Sequence, residues 1–427
     1  MKEGDETQKR KEVETSFLLL GLGSLLPWNA ILSQLDFFMF YQKEHHPEIV
    51  FGNINFFINL TLQFILLTTK RMFSYKKLFY FSLCGYMLSL ISLPISAIYF
   101  SSDLGFKISC IVIFINGFSN AVISNSMFGL VSFFSLENVI AVGTGQGISG
   151  ILMTLIRYAI LLFIDEKKGL NIGAYLFFGI SALIILIVLR QIMVIYKNPV
   201  FISVLEQNGE IKKVNEEERK ENKLIEEANN IELKEIDEEG QNKDNEKETN
   251  KEKEKGLLFL IMKIIDINIM VILCYTTTIG LFPGACIKPN LFGLSPGWKV
   301  NTIIFLYNLF DTIGRKLVGY IKKPAKWHLI STTVLRFLFL LSFPFVIYLE
   351  KYNKLGANII GILSVLNTVL MALTNGIANN LCFSLAPEQV EGELKAKAGS
   401  SVSLCLAVGL FLGSFLANII DKITNNI

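Results

Sequence analysis

The feature that most constrains this chain is a succession of long apolar runs that are almost free of charge. A helix needs about 20 apolar residues to cross the hydrocarbon core of a bilayer. Eleven runs of that order occur along the 427 residues, namely 17–41, 51–69, 78–101, 106–136, 139–164, 170–196, 257–282, 298–321, 327–349, 355–385 and 396–420. They are continuous rather than alternating, which argues against a transmembrane β-barrel. The sequence therefore predicts an all-α polytopic membrane protein with 11 transmembrane helices.

One segment differs sharply from these runs. Residues 197–256 contain 12 Lys or Arg and 18 Asp or Glu, so half of the segment is charged, against 18% for the whole chain. Such a segment buries too little apolar surface to offset the entropy of ordering, and we expect it to be disordered. We therefore divide the chain into an N-terminal segment (1–16), a six-helix half (17–196), the charged segment (197–256) and a five-helix half (257–427).

Basic residues in short loops indicate the orientation, because cytoplasmic loops are enriched in Lys and Arg. With the N-terminus inside, the short cytoplasmic segments hold 13 basic groups and the outer ones hold about nine. The sequence therefore predicts a cytoplasmic N-terminus, a cytoplasmic charged segment and an extracellular C-terminus. The plasma membrane is the expected location.

Composition and motifs exclude several functional classes. Outside the charged segment only 47 of 367 residues are charged, too few for a soluble enzyme or a nucleic-acid binder. The six cysteines form no CxxC pair, which argues against a disulfide framework or a zinc site. No Walker A, HExxH or nucleophile-elbow motif occurs. We expect no enzymatic activity, cofactor, bound metal or obligate protein partner, and transport down a gradient remains.

The few ionisable residues inside the runs are the first functional candidates, because each costs about 2.5 to 3.5 kcal/mol even on lenient insertion scales. Asp311 and Arg315 lie four residues apart on one helix face, and Asn308 shares that face. The two charges can pair and still offer donors and acceptors to a ligand with vicinal hydroxyls. The alternative is a purely structural pair that joins two helices. With Lys316, these charges make 298–321 the least apolar run.

Two further segments carry polar or irregular features. Residues 143–150 (GTGQGISG) match the GxGxxG pattern of dinucleotide sites, but no strand precedes them, so we interpret the glycines as a surface for close helix packing. Gln146 would then project an amide suited either to the edge of a heterocyclic base or to an interhelical hydrogen bond. In the first run, Pro27 removes a backbone hydrogen bond, and Trp28 offers a flat face for a base or for core packing.

Other polar residues inside the runs have less specific interpretations. The fourth and tenth runs contain clustered amides, which are Asn116, Asn120, Asn125, Asn375, Asn379 and Asn380. For most of them a role in joining helices is favoured. Arg157 and Arg336 are further cations, and Arg336 either snorkels towards the inner surface or has a function.

Five motifs together resemble the equilibrative nucleoside transporter family over nearly the whole chain. They are GLGSLLPWN (21–29), FGLVSFF followed by GTGQGISG (128–150), TIGLFPG (278–284), NLFDTIGR (308–315) and LTNGIANNLCFSLAP (373–387). The resemblance implies a major-facilitator-like arrangement of six plus five helices around a central site that opens alternately to each side. It also implies bidirectional movement of purine and pyrimidine nucleosides, and of nucleobases in some members.

The resemblance also implies a set of substrate-binding residues. They are Leu25, Trp28, Gln146, Asn308, Asp311 and Arg315. The first two would line the base end of the site, the Gln146 amide would hydrogen-bond the base, and the charged pair would hold the ribose hydroxyls with Asn308 nearby. The abundance of Lys, Asn, Ile and Phe indicates an AT-rich genome, such as that of a protozoan parasite.

We favour facilitated diffusion of nucleosides, purines first, with the substrate and the lipid bilayer as partners. Three alternatives stay open. One is a proton-coupled nucleoside or nucleobase symporter with Asp311 as the titrating group. The second is a carrier of another small polar solute, and the third is a membrane scaffold that binds a partner through the charged segment.

Overall fold

The computed structural model describes residues 3–69, 73–163, 170–210 and 243–426. Within these residues the chain forms helices and no strand. The α-helices are α1 (Glu3–Ser33), α2 (Leu35–Tyr41), α3 (Pro47–Thr68), α4 (Tyr75–Tyr99), α5 (Ser102–Val131), α6 (Leu136–Phe163), α7 (Leu170–Ile195), α8 (Pro199–Gln207), α9 (Lys243–Leu281), α10 (Pro296–Leu317), α11 (Lys326–Leu335), α12 (Phe339–Lys351), α13 (Ala357–Glu388) and α14 (Leu394–Asn426). Three short 3-10 segments are Lys43–His45, Val318–Tyr320 and Arg336–Leu338, and the last joins α11 to α12.

Ten helical stretches in the described ranges are long and apolar enough to cross a bilayer. They lie on α1, α3 to α7, α9, the joined α11 and α12, α13 and α14. The predicted span 298–321 is also helical, since α10 covers 22 residues, but its charged side chains set it apart from the others. The all-α polytopic architecture is confirmed, whereas the number of 11 spanning helices stays a prediction.

Two helix boundaries differ from the apolar runs. α1 begins at Glu3, so the helix includes most of the charged N-terminal segment. It ends at Ser33, and α2 continues the first predicted span as a separate short helix after Gln34. The hydropathy of a run identifies the residues of a helix that lipid can surround. The helix itself can begin or end at other residues.

The helices carry large apolar side chains both inside and outside. Phe17, Phe79 and Phe177 are buried, while Phe64 and Leu341 are exposed by 58% and 73%. Water would oppose such exposure, and soluble proteins rarely present large contiguous apolar patches. The outer apolar surface is the one that faces lipid.

Contacts between helices join each half internally and also join the two halves. Within the halves, α1 packs extensively on α6, α9 on α14, and α10 on α13. Across the halves, α6 contacts α10 and α13, and α14 contacts α3 and α5. The helices α1, α6, α10 and α13 therefore meet near the centre of the molecule.

Glycines of α6 set the spacing at this meeting point. A β-carbon added to Gly145 would lie 1.9 Å from the Leu18 carbonyl oxygen of α1. One added to Gly147 would lie 2.1 Å from Thr312 Oγ1 of α10. Close helix packing is therefore the structural role of residues 143–150, in agreement with the interpretation from the sequence.

The start of the charged segment is ordered, which differs from the prediction of disorder from its first residue. α8 buries Phe201 against Phe17 of α1, with ring centroids 6.2 Å apart. The Asn198 side chain caps α8 by accepting from its first backbone N–H groups, and the end of the segment belongs to α9 from Lys243. Residues 211–242 lie outside the described part of the chain, so their disorder stays a prediction.

Gly145→Ala should destabilise the protein, because the added methyl group has no room between α6 and α1. Gly179→Ala on α7 is the matched control, since a β-carbon there meets no atom within 4 Å and alanine favours a helix by about 1 kcal/mol over glycine. We expect the melting temperature of the detergent-purified protein to fall in the first variant and to hold or rise in the second. An unchanged melting temperature for Gly145→Ala would contradict the close approach.

Candidate functional site

The centre of the molecule contains a buried ion pair, at the two positions that the sequence singles out. Asp311 and Arg315 project from one face of α10, and Arg315 Nε donates to Asp311 Oδ2 at 2.7 Å. Each side chain is only 6% exposed. A single charge left alone at this depth would be costly, so each residue depends on the other.

Gln146 links this pair to the opposite half of the molecule. Its Oε1 accepts from Arg315 Nη1 at 3.0 Å, and its Nε2 donates to Ser24 Oγ of α1 at 3.4 Å. The Tyr86 hydroxyl in turn donates to the Ser24 carbonyl oxygen at 2.9 Å. Ser24 and Tyr86 are residues that the sequence analysis missed, because a lone hydroxyl in an apolar run forms no recognisable pattern.

Helix α13 supplies a second set of contacts. Asn375 Nδ2 donates to Asp311 Oδ1 at 2.7 Å, so both carboxylate oxygens accept hydrogen bonds. Asn380 Nδ2 donates to the backbone carbonyl oxygen of Arg315 at 2.9 Å. These amides do join helices, as favoured from the sequence, but they also complete the surroundings of the ion pair.

Arg336 belongs to the same network. It is fully buried, with 0% of its surface exposed, so snorkelling towards the membrane surface is excluded. Its Nη1 donates to the Met371 carbonyl oxygen at 2.8 Å and to Thr374 Oγ1 at 2.9 Å. Its Nη2 donates to Asn375 Oδ1 at 3.4 Å and to the hydroxyl of Thr278. All these acceptors are neutral.

The predicted base-contacting residues of α1 lie beside the network. Trp28 follows Ser24 by one helical turn, is 9% exposed, and packs edge-on against Phe56 with ring centroids 5.4 Å apart. Leu25 follows Ser24 directly and is partly buried. Their position next to Ser24 is compatible both with core packing and with contact to a ligand held at Gln146.

Asn308, the remaining predicted residue, lies one turn before Asp311 on α10. A β-carbon added to Gly150 of α6 would lie 2.4 Å from Asn308 Cγ. The Asn308 side chain is therefore held against α6, at the contact between the two halves.

Aromatic pairs join the two halves towards both ends of the helix bundle. Phe128 of α5 stacks on Phe383 of α13 with ring centroids 3.6 Å apart. Towards the other end, Tyr158 of α6 stacks on Trp298 of α10 at 5.4 Å. The ion pair between these two contacts is buried in this conformation.

Comparisons with known proteins identify the family of the chain. A family model described as nucleoside transporter matches residues 109–422. Equilibrative nucleotide transporter 7 of Arabidopsis thaliana is 27% identical over 410 residues, which cover 92% of this chain and 91% of the relative. Equilibrative nucleoside transporter 2 of Rattus norvegicus is 24% identical over 452 residues, which cover 95% of this chain and 96% of the relative.

Solved structures of major facilitator transporters share the fold. The proton:xylose symporter XylE bound to 6-bromo-6-deoxy-D-glucose has a TM-score of 0.65 at 13% identity, covering 97% of this chain and 88% of the symporter. The human organic anion transporter MFSD10 has a TM-score of 0.56 at 13% identity, with coverages of 98% and 96%. At such identities the likeness concerns the fold alone, and it confirms the major-facilitator-like prediction.

The long apolar helices define a multi-pass membrane protein, and the family model and the curated relatives make it a transporter and not an enzyme. The family match over most of the length completes the assignment: the chain belongs to the equilibrative nucleoside transporter family. The resemblance that the sequence motifs carry is confirmed.

Asp311→Ala should destabilise the protein by about 3 kcal/mol, because it leaves the Arg315 charge buried without its carboxylate. The double variant Asp311→Ala/Arg315→Ala removes both charges and should recover part of this loss. Unfolding of the purified single and double variants in detergent gives the comparison. Losses that simply add would contradict the mutual dependence of the two side chains.

Proposed function

We propose that the network around Asp311 is the site where this transporter binds a nucleoside. The supporting observation is the buried ion pair, joined to the opposite half through Gln146. The Asp311 carboxylate accepts hydrogen bonds and the Arg315 guanidinium donates them, which suits two neighbouring ribose hydroxyls. A vicinal diol can therefore replace contacts of the pair without leaving a buried polar group unsatisfied.

We assign the base to the side of the network formed by α1 and α6. Gln146 offers an amide oxygen and an amide nitrogen, which suit the edge of a base, and both are occupied by neighbouring side chains in this conformation. A bound base would take the place of those neighbours. Trp28 supplies a face for stacking, a contact worth about 1 to 3 kcal/mol per base elsewhere, and Leu25 and Asn308 complete the lining.

Transport then proceeds by alternating access. The aromatic pairs Phe128–Phe383 and Tyr158–Trp298 lie towards opposite ends of the bundle, so separating one pair while the other stays packed opens the network to one side. The flux follows the substrate gradient and runs in either direction. The carrier needs no energy source of its own for this movement.

An uncharged nucleoside suits the network better than a nucleotide. The Arabidopsis relative is named a nucleotide transporter, whereas the rat relative is named a nucleoside transporter. In the described surroundings of the network, Arg315 is paired with Asp311, and Arg336 is enclosed by protein oxygen atoms with none of its surface exposed. A phosphate group would therefore have to displace existing partners of both cations.

Purine nucleosides are the preferred substrates in this proposal, because a purine presents the larger stacking surface to Trp28, and nucleobases come second. The location is the plasma membrane. The N-terminus faces the cytoplasm and the C-terminus faces outward, as the distribution of basic residues in the short loops indicates.

Asp311→Asn and Arg315→Met should abolish uptake of radiolabelled adenosine in transport-deficient yeast or oocytes, since each removes one half of the proposed ribose contact. Asp421→Asn is the matched control, because Asp421 is more than half exposed and pairs with Lys288 away from the network. It should transport at the wild-type rate per molecule, with surface labelling as the measure of abundance. Wild-type uptake by both central variants would refute the site assignment.

Competition against labelled adenosine tests the substrate class. Unlabelled adenosine and inosine should suppress uptake, whereas adenosine monophosphate and xylose should not. Suppression by the monophosphate would indicate a nucleotide site instead. Suppression by xylose alone would indicate a carrier of another polar solute.

A further inference from the structure

Arg336 is a second buried cation beside the ion pair, and the proposed binding contacts give it no role. It lies in the 3-10 segment between α11 and α12. Its guanidinium reaches α9 through the Cys274 carbonyl oxygen at 3.4 Å and α13 through the Met371 carbonyl oxygen at 2.8 Å. Among the described residues its hydrogen-bond partners are neutral oxygen atoms, and its Nε has no partner. A residue this costly to bury calls for a reason.

The informative contact is the one with Asn375. The oxygen and nitrogen ends of an amide are nearly equal in size, so an isolated asparagine can be turned either way. A guanidinium can only donate hydrogen bonds. Arg336 Nη2 donates to Asn375 Oδ1 at 3.4 Å and also to the hydroxyl of Thr278. Thr278 Oγ1 in turn donates to Asn375 Oδ1 at 2.7 Å, so this oxygen is held on the side of Arg336.

The opposite end of the same amide faces the ion pair. With Oδ1 held by Arg336, Asn375 Nδ2 points to Asp311 Oδ1, at 2.7 Å. Arg315 holds Oδ2 of the same carboxylate at 2.7 Å. The carboxylate plane is thus set from two sides, by a donor on its own helix and by a donor on α13.

We propose that Arg336 is a positioning residue for the substrate site: it orients the amide of Asn375, and Asn375 holds the Asp311 carboxylate in the orientation that accepts the ribose hydroxyls. This proposal rests on the nucleoside function proposed above. Arg336 does not touch the substrate. It acts through one intermediate side chain whose direction it determines.

Asn375→Asp separates positioning from mere stabilisation. The new side chain has nearly the same size, and its oxygen atoms still accept from Arg336 and add an opposite charge, so a purely structural role is preserved. A carboxylate cannot donate to Asp311, however, and repels it. We expect the KM for adenosine to rise about tenfold or more, with a smaller change in the maximal rate per surface molecule.

Two substitutions of Arg336 give an independent measurement. Arg336→Lys keeps a side chain that only donates, whereas Arg336→Gln can present either an oxygen or a nitrogen to Asn375. The KM for adenosine should therefore be higher in Arg336→Gln than in Arg336→Lys. Thr276→Val is the control on α9, because the Thr276 hydroxyl donates to the Gly409 carbonyl oxygen instead of the network, and it should keep the wild-type KM.

A substrate analogue without ribose hydroxyls tests whether Asn375→Asp weakens the contact to those hydroxyls. 2′,3′-Dideoxyadenosine lacks the vicinal hydroxyls, so its inhibition constant against adenosine uptake should change little between the wild type and Asn375→Asp. Equal weakening for both compounds would mean that the variant disturbs the site as a whole, and this result would overturn the positioning role.

The remaining outcomes distinguish the two proposals. A wild-type protein that reaches the surface and carries no nucleoside refutes the proposed function, and the positioning role with it. Normal wild-type transport together with an unchanged KM in Asn375→Asp refutes the positioning role alone. Because KM does not depend on the amount of protein, poor expression does not obscure it. If Asn375→Asp does not reach the surface, equal KM values in Arg336→Lys and Arg336→Gln overturn the proposal.

Discussion

The constraint on which the centre of this transporter depends is that a carboxylate inside a membrane span needs a partner of opposite charge. Asp311 finds that partner one turn along the same helix, in Arg315. The remaining donors and acceptors of the pair are then met by Gln146 from α6 and by Asn375 from α13. The charged face of α10 is tolerated because it is turned to the centre of the molecule, away from lipid.

Much of this could be predicted from the sequence, because the rules involved are local. The length of each apolar run follows from the thickness of a bilayer, and the spacing of Asp311 and Arg315 follows from the helical repeat. The partners on other helices could not be predicted in the same way. An asparagine or serine in an apolar run indicates a polar group inside the membrane. The sequence does not say which way its side chain points or which residue it contacts, so the partners of Asn375 and Ser24 are seen only in the assembled structure. Arg336 shows the same limit, since its burial depends on α9 and α13 together.

The order of α8 has a comparable explanation. The composition averaged over the charged segment predicts disorder. The first residues of that segment, however, include Phe201, which packs against Phe17 of α1. An average over 197–256 hides a short apolar stretch next to the last span of the first half. Whether such a junction is ordered depends on the apolar surface that neighbouring helices present to it. The composition of the segment alone does not contain that information.

The two kinds of contact in the network have different consequences for a carrier that rocks between states. The ion pair is made within α10, so moving one half against the other does not separate its charges. The contact across the halves is a hydrogen bond from Arg315 to the neutral amide of Gln146, and breaking it leaves a donor that water or a hydroxyl can satisfy. Since a carrier that favours one facing state strongly would stall, an arrangement that keeps the charges together during the motion limits the free-energy difference between states. A neutral ligand with donors and acceptors can enter this arrangement without changing its charge balance, and this is the physical basis of the proposed nucleoside site.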